Sequence, residues 1–493
     1  MEKTKITEKD KNINLIKIMY IVLSFAFITP SIVYILKNKT IFGFNKEFKF
    51  LLNNIDTVKQ TIIYLIIISL LITIYFLIIK KRKQLFKDTK SVMKFILIVS
   101  LIFVFTVPMF SSDVFYYLGI GRLNSEYGQN PYYISMKQYV DDNNININAD
   151  TVMLQGYNSY WAKTTVVYGP IWTIICAVVA KLSLGNIDFG LFVFKIVNLA
   201  IHMLNCYFIY KLSKKNIFVL LYGLNPFIIL EGIINVHNDI FVVLLLLIAL
   251  YFLIKKKKLF FSILFLAIAT GIKYFTVLLL PFFIIYYYRK EKPLFRFIKC
   301  IEYGIVFAII FIIPYFIYIR DINVFAGLWE QQSKVAKSLY LVLRETFKNV
   351  NYKITQYLLV GFAYIFSIKN LCLLFKPNIK IKKEMTHNLY FVMTFLFVLI
   401  TNFQPWYIMW LFPLMIWQKA SNIKLIVQTG LISMYANSVF LINGEQWRYG
   451  VYFYLILTTC MILFTLYNNK NKIIRRIKQE ENRIGKTSFN RWK

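Results

Sequence analysis

A chain of 493 residues that is 58% hydrophobic, 18% aromatic and only 16% charged has too little polar surface for a soluble enzyme, and is an integral membrane protein. Its formal net charge of +35 does not make it a nucleic-acid binder. The Lys and Arg sit in short loops between apolar runs, at 80–90, 211–216, 255–258, 289–296 and 472–478, and form no basic stripe on a soluble fold.

Apolar runs of membrane-crossing length recur along the chain, and placing the basic loops in the cytoplasm orients them. The first, 15–36, has no small-residue cleavage site after it and reads as a retained signal anchor. Spans follow at 61–79 and 92–109, and the basic loop between them puts residues 110–167 on the outer side. If 170–184 were a full span, the KLSKKN loop at 211–216 would lie outside. The stretch therefore reads as an outer juxtamembrane helix, and 189–210 returns inward.

The run 218–230 goes out again to Asn225-Pro226 and the polar sequence Glu231 to Asp239, and 240–254 comes back to KKKK. Residues 259–288 begin and end at cytoplasmic basic loops, so they go up and return as two short arms that break at Thr270-Gly271-Ile272-Lys273-Tyr274. Further spans are expected at 303–319, 355–375, 389–403, 406–417, 425–442 and 452–466. The expected fold is an all-α polytopic membrane protein with about fourteen transmembrane helices and both termini in the cytoplasm. It divides into accessory spans at 1–90, a catalytic core at 91–415 that includes the outer loop 110–167, and C-terminal spans with a basic tail at 416–493.

This topology gathers four polar groups on the outer side: Asp113 with Tyr117 and Arg122; Glu231, His237, Asn238 and Asp239; Lys273 with Tyr274; and Gln404, Trp406 and Tyr407. Charges at membrane depth are costly and default to functional candidates. Asp113 has the chemistry of a general base, and its Ser-Ser-Asp context equally suits a helix start. Lys273, with Arg122 and Tyr274, could hold a lipid phosphate; snorkelling to the interface is the alternative. His237 and Asp239 read as sugar ligands, proton carriers or helix caps. Trp406, Tyr407 and Trp447 suit stacking on a sugar or membership of the aromatic belt. Lys195 reads as facing the cavity and His202 as a satisfied core histidine. The five Cys lie scattered in apolar runs without metal-ligand spacing. No cofactor is expected, with a divalent ion on Asp113, Asp239 and His237 as the alternative.

At these residues the sequence resembles the GT-C superfamily of membrane glycosyltransferases. SSDVFYYLGIGRL, GQNPYY and YGPIW are similar to the first outer loop of bacterial polyprenyl-phosphomannose-dependent mannosyltransferases and of the glycosylphosphatidylinositol mannosyltransferase I family. LNPFIILEGIINVHND, ATGIKYFTVLLLPFF and QPWYIMWLFPL are similar to later segments, so the resemblance covers about 92–413. It implies a catalytic Asp at Asp113, inversion at the anomeric carbon and no required metal in most members. Some relatives carry Asp-x-Asp in that loop, whereas here Val114 and Phe115 follow Asp113, leaving Glu126 or Asp239 as a second acid. The expected reaction moves a hexose, mannose first, from a polyprenyl phosphate donor to a glycan, glycolipid or protein acceptor at the outer face of the cytoplasmic membrane. A polysaccharide polymerase and a lipid-linked oligosaccharide transporter are the alternatives.

Overall fold

The computed structural model describes residues 8–38, 57–333, 371–376, 379–394 and 404–443, with isolated positions between 357 and 369, and every regular element among them is helical. The first two expected spans are α1 (Glu8–Asn38) and α2 (Thr57–Leu85), and the third is the shorter α3 (Thr89–Val104). By length and composition, four described helices can cross a membrane: Asn14–Val33, Val58–Leu85, Ile187–Ser213 and Pro293–Ile317. A fifth is the pair Asn216–Gly223 and Pro226–Ile234, bent by 52°. The expected span 425–442 lies within one continuous helix of 24 residues, Ala420–Asn443, and the other expected spans within the described residues are short or broken. The expected span 452–466, most of 355–375, residues 395–403 and Trp447 lie outside the described residues.

Residues 110–167, the expected outer loop, carry α4 (Asp113–Ser125), α5 (Met136–Asp142) and α6 (Thr151–Tyr157), and a short helix, α7 (Pro170–Leu182), follows where the juxtamembrane helix is expected. Pro170 suits the first helical position because the N–H it lacks would have no intrahelical partner there. The start of α7 is stitched to the break at Gly271: Gly169 N–H donates to the Ile272 carbonyl (3.3 Å) and Ile171 N–H to that of Gly271 (3.0 Å). A Cβ on Gly169 would lie 2.3 Å from the Gly271 oxygen, so only glycine permits this approach. The YGPIW and ATGIK segments are thus joined backbone to backbone.

Next comes α8 (Ile187–Ser213). The expected single span 218–230 is instead α9 (Asn216–Gly223), α10 (Pro226–Ile229) and a π-helical turn, Leu230–Ile234. Pro226 cannot donate and pushes Asn225 out of the helical region, so the helix stops, and the Asn225 side chain restarts it by accepting from Phe227 N–H (3.0 Å). One face of α8 takes up the freed backbone groups. Lys195 Nζ donates to the Ile234 carbonyl (3.1 Å) and to that of Thr106, and Asn198 Nδ2 to Gly232 (2.6 Å). His202 Nε2 lies 3.0 Å from the Gly223 oxygen, which makes it the protonated ring nitrogen, and Asn205 Nδ2 donates to Ile240 (3.1 Å). Lys195 therefore holds protein carbonyls rather than projecting into open space, and His202 is a buried core histidine satisfied at Nε2 only, its Nδ1 having no hydrogen-bond partner among the described residues.

Behind the break run α11 (Asp239–Tyr251), α12 (Leu259–Thr270), a 3-10 turn at Tyr274–Leu279 and α13 (Leu280–Tyr287), which are the two expected short arms. They are followed by α14 (Pro293–Ile312), α15 (Ala326–Ser333) and α16 (Ile381–Thr394). α14 begins ten residues ahead of the expected 303–319 span, at Pro293. Residues Pro405–Trp417 form a 3-10 helix, and the last described element is α17 (Ala420–Asn443). Pro405 and Pro413 disfavour an α-helical ladder over 405–417. At the 3-10 rise of ~2.0 Å per residue, 13 residues span ~26 Å instead of the ~20 Å of an α-helix. α1 and α2 brace the broken segment, with Tyr20 OH donating to the Leu224 carbonyl (2.6 Å) and Tyr75 OH to that of Leu221 (3.0 Å).

Candidate active site

Asp113 is the first residue of α4, following Ser112 at the N-cap. Its carboxylate accepts from Trp161 Nε1–H (3.1 Å) and, at the limit of hydrogen bonding, from Tyr117 OH (3.5 Å), whose oxygen lies 3.4 Å from Tyr168 OH. The Ser-Ser-Asp sequence does start a helix, as expected, but the Asp113 carboxylate is engaged by side chains rather than capping it.

The π turn and its exit place the next group. Asn235 binds two segments at once: its Nδ2 donates to Glu231 Oε2 (3.0 Å) and its Oδ1 accepts from Met109 N–H (3.0 Å), which ties the approach to Asp113 to the broken span. Val236 adopts φ +60°, a left-handed conformation that costs a β-branched residue roughly 1–3 kcal/mol. That turn swings the His237 ring between two carboxylates, with Nδ1 3.6 Å from Asp113 Oδ2 and Nε2 3.3 Å from Glu231 Oε2. Trp406 lies flat on the ring at 3.6 Å between centroids. All three ionisable groups are buried, Asp113 at 6% exposure, Glu231 at 2% and His237 at 0%, so bulk water does not compete for these contacts.

Asp239 opens α11 as Asp113 opens α4, so two helix N-termini present carboxylates here. Both its oxygens take Lys273 Nζ, at 2.8 and 3.0 Å, and Oδ1 also accepts from Trp410 Nε1–H at 2.6 Å. The Lys273 ammonium lies 4.3 Å from the Tyr407 ring centre and 5.3 Å from that of Trp410, and the charge of Asp113 also acts on it. Trp410 is stacked between Phe275 (3.6 Å) and Tyr407 (4.7 Å). The 3-10 repeat makes the second contact, because residues three apart eclipse on such a helix. Lys273 is thus held by a carboxylate and aromatic faces rather than snorkelling.

Of the residues singled out in the sequence, Asp113, Tyr117, Glu231, His237, Asp239, Lys273, Trp406 and Tyr407 converge. Asn238 lies between two of them, fully buried, and neither atom of its amide has a hydrogen-bond partner among the described residues. Arg122 is not brought in: its guanidinium pairs with Asp150 (2.7 Å) and Glu126 (3.4 Å) within residues 110–167. Glu126 is thereby removed as a second acid for Asp113, and Asp239 faces Lys273; Glu231 is the acid on the other side of the His237 ring from Asp113, and neither ring nitrogen makes a hydrogen bond to either carboxylate. Tyr274 turns from Lys273 toward the loop, donating to the Tyr168 carbonyl (3.1 Å) and lying 2.7 Å from Tyr315 OH. Gln404 sits at the start of the 3-10 helix, its carbonyl accepting from Tyr407 N–H (3.1 Å). Among the described residues no three His, Cys, Asp or Glu side chains are placed to hold a metal ion. Sequence reasoning passed over Trp161, Asn235 and Trp410. Trp410 carried a signal, an aromatic three residues after Tyr407 between two prolines.

Residues 31–289, just over half of the chain, match the family model described as alpha-(1->6)-mannopyranosyltransferase, N-terminal domain. The match begins inside α1 and so takes in α2, which the resemblance seen in the sequence leaves out. It contains Asp113, Glu231, His237, Asp239 and Lys273, and stops short of Pro405–Trp417. No curated protein and no solved structure matches.

Proposed function

The chain belongs to the alpha-(1->6)-mannopyranosyltransferase family of membrane enzymes, which take mannose from polyprenyl-phosphomannose; from that premise we propose that Asp113 is its general base, working at the outer face of the cytoplasmic membrane on a hydroxyl of a mannan acceptor. Family membership sets aside the polymerase and transporter alternatives. In the proposed step the acceptor oxygen attacks the anomeric carbon of the donor mannose. The bond from that carbon to the phosphate oxygen breaks with its electron pair going to the phosphate, and the hydroxyl proton passes to Asp113. A single displacement of this kind inverts the anomeric configuration.

The observation that carries this reading is the buried chain Asp113–His237–Glu231 beside the Lys273–Asp239 pair. When His237 carries its proton on Nε2 toward Glu231, the Nδ1 lone pair faces Asp113 and can take the proton that Asp113 has collected, which resets the base. Neither ring nitrogen makes a hydrogen bond to a carboxylate in this structure, so the transfer requires the ring and Asp113 to close by a few tenths of an ångström when substrate binds. Lys273 supplies the positive charge that meets the departing polyprenyl phosphate, with Asp239 and Trp410 fixing its position beforehand. The buried amide of Asn238 suits the hydroxyls of a bound sugar, since a buried polar group without a partner calls for one.

The test is mannose transfer from synthetic polyprenyl-phosphomannose to a short mannan acceptor by purified protein. Asp113→Asn is expected to lower kcat by about 10²–10⁴, the usual contribution of a general base, with donor KM changed little. Activity equal to that of the unsubstituted protein would sink the assignment.

A further inference from the structure

A cavity of about 710 Å³ opens away from Asp113, between the α8–α9 turn, the start of α16 and the end of the 3-10 helix. Lys215, Lys380, Lys382, Lys383 and Lys419 line it, none forms an ion pair among the described residues, and no carboxylate is in its lining. Glu384, next to Lys383 in α16, is engaged by Lys376 and by His387 Nδ1 (3.4 Å). The floor is built rather than accidental. Gln418 Nε2 donates to the Met385 (3.1 Å) and Leu414 (3.2 Å) carbonyls, and Gln418 Oε1 accepts from Thr386 Oγ1 (3.1 Å) and Asn422 Nδ2 (3.1 Å). Leu212, Phe218, Ile416 and Trp417 supply an apolar side.

We propose that this cavity binds a phospholipid head group carrying two phosphate charges from the cytoplasmic leaflet, with the lysines on the phosphates and the apolar side against the first acyl carbons. Three features select that ligand. Five ammonium groups converging from three elements exceed what one monoanionic head group can neutralise. Trp417 beside the lysines gives the amphipathic edge of a headgroup-level site. The volume is several times that of a lone phosphate, which would leave most of the lysines unmatched. The leaflet rests on the orientation proposed above, in which the lysine-rich loop at 211–216 is cytoplasmic; the binding itself does not.

The experiment is native mass spectrometry and thermal unfolding of the purified full chain in detergent, titrated with cardiolipin, phosphatidylglycerol and inorganic pyrophosphate. Cardiolipin is expected to bind with one-to-one stoichiometry, and about tenfold or more tighter than either other probe. Pyrophosphate binding as tightly would overturn the lipid assignment, and phosphatidylglycerol doing so would overturn the requirement for two phosphates. Lys380→Gln/Lys382→Gln/Lys383→Gln should weaken cardiolipin about tenfold or more. Lys215→Gln/Lys419→Gln, on two other elements, should also weaken it, while Lys255→Gln/Lys256→Gln in another basic loop should not. Undiminished cardiolipin binding by whichever of the first two variants folds refutes the site. Thiol labelling of Lys382→Cys in sealed vesicles of known sidedness tests the orientation separately. Labelling from the outside overturns the leaflet and the proposed outer active site while leaving head-group binding standing.

Discussion

Lys273 is the residue whose structural and catalytic roles are hardest to separate, and its pairing with Asp239 supplies the means. Lys273→Met keeps the length and apolar stem of the side chain but removes the charge, leaving the Asp239 carboxylate, 0% exposed, with Trp410 N–H. Removing one partner of a buried ion pair costs about 3–5 kcal/mol, because the other charge stays buried without a counter-ion. The N-terminus of α11 offsets this by roughly 0.3–1 kcal/mol, so the net loss is on the order of 2–4 kcal/mol. Adding Asp239→Asn removes the stranded charge while its amide oxygen still accepts from Trp410, and the double variant should come back to within about 1 kcal/mol of the starting stability. Thermal unfolding in detergent measures the stability side of this cycle, and the KM for polyprenyl-phosphomannose measures the functional side. A lysine that meets the donor phosphate predicts that stability returns in the double variant and donor affinity does not, with KM at least about tenfold above the starting value. If stability and donor KM recover together, Lys273 is only the counter-charge of Asp239 and the phosphate role is refuted.

His237→Phe keeps the stack on Trp406 but deletes both nitrogens, and should lower kcat by about 10–10² with little change in donor KM; steady-state kinetics equal to the parent would reduce His237 to a packing residue. Arg122→Gln breaks the contact with Asp150 and should destabilise the outer loop by roughly 1–3 kcal/mol, seen as earlier proteolysis there, with donor KM within about twofold. A large rise in KM would return Arg122 to the phosphate site. Lys195→Met strips the donors from the Thr106 and Ile234 carbonyls, which precede Asp113 and His237 respectively, and should cost roughly 2–4 kcal/mol in thermal unfolding together with a loss of kcat. Unaltered unfolding and turnover would show that those carbonyls need no ammonium.

What the sequence made legible is what one-dimensional counting can reach. Basic loops alternate with apolar runs, so parity alone made 170–184 a short non-spanning helix and bent 259–288 at Lys273, and a short helix α7 and two short arms about the break are found there. Asp113 stood out because a carboxylate follows an apolar run. The choice of Arg122 failed on a count that was also at hand. Nine residues along an α-helix are two and a half turns, so Arg122 lies ~13 Å from Asp113 and half a revolution away. Pairing Lys273 with Asp239, or Trp161 with Asp113, needed contacts between distant segments that no local period encodes.

The polar stripe on α8 lies between these cases, and it explains why the site can exist within a membrane. Lys195, Asn198, His202 and Asn205 fall at i, i+3, i+7 and i+10, a spacing that puts them on one face of a helix otherwise apolar enough to span. Asn225-Pro226 in the next span stops a helix and frees carbonyls where no water is at hand to bind them. Each feature alone looks like a defect, a membrane helix carrying polar groups and a membrane helix that breaks, yet the donors of one are the partners the other requires. The break lets Glu231, His237 and Asp239 leave the helical register and turn toward Asp113, and the stripe keeps that departure affordable. A search for a broken span beside a polar-striped one could therefore locate this site before any single catalytic residue is recognised.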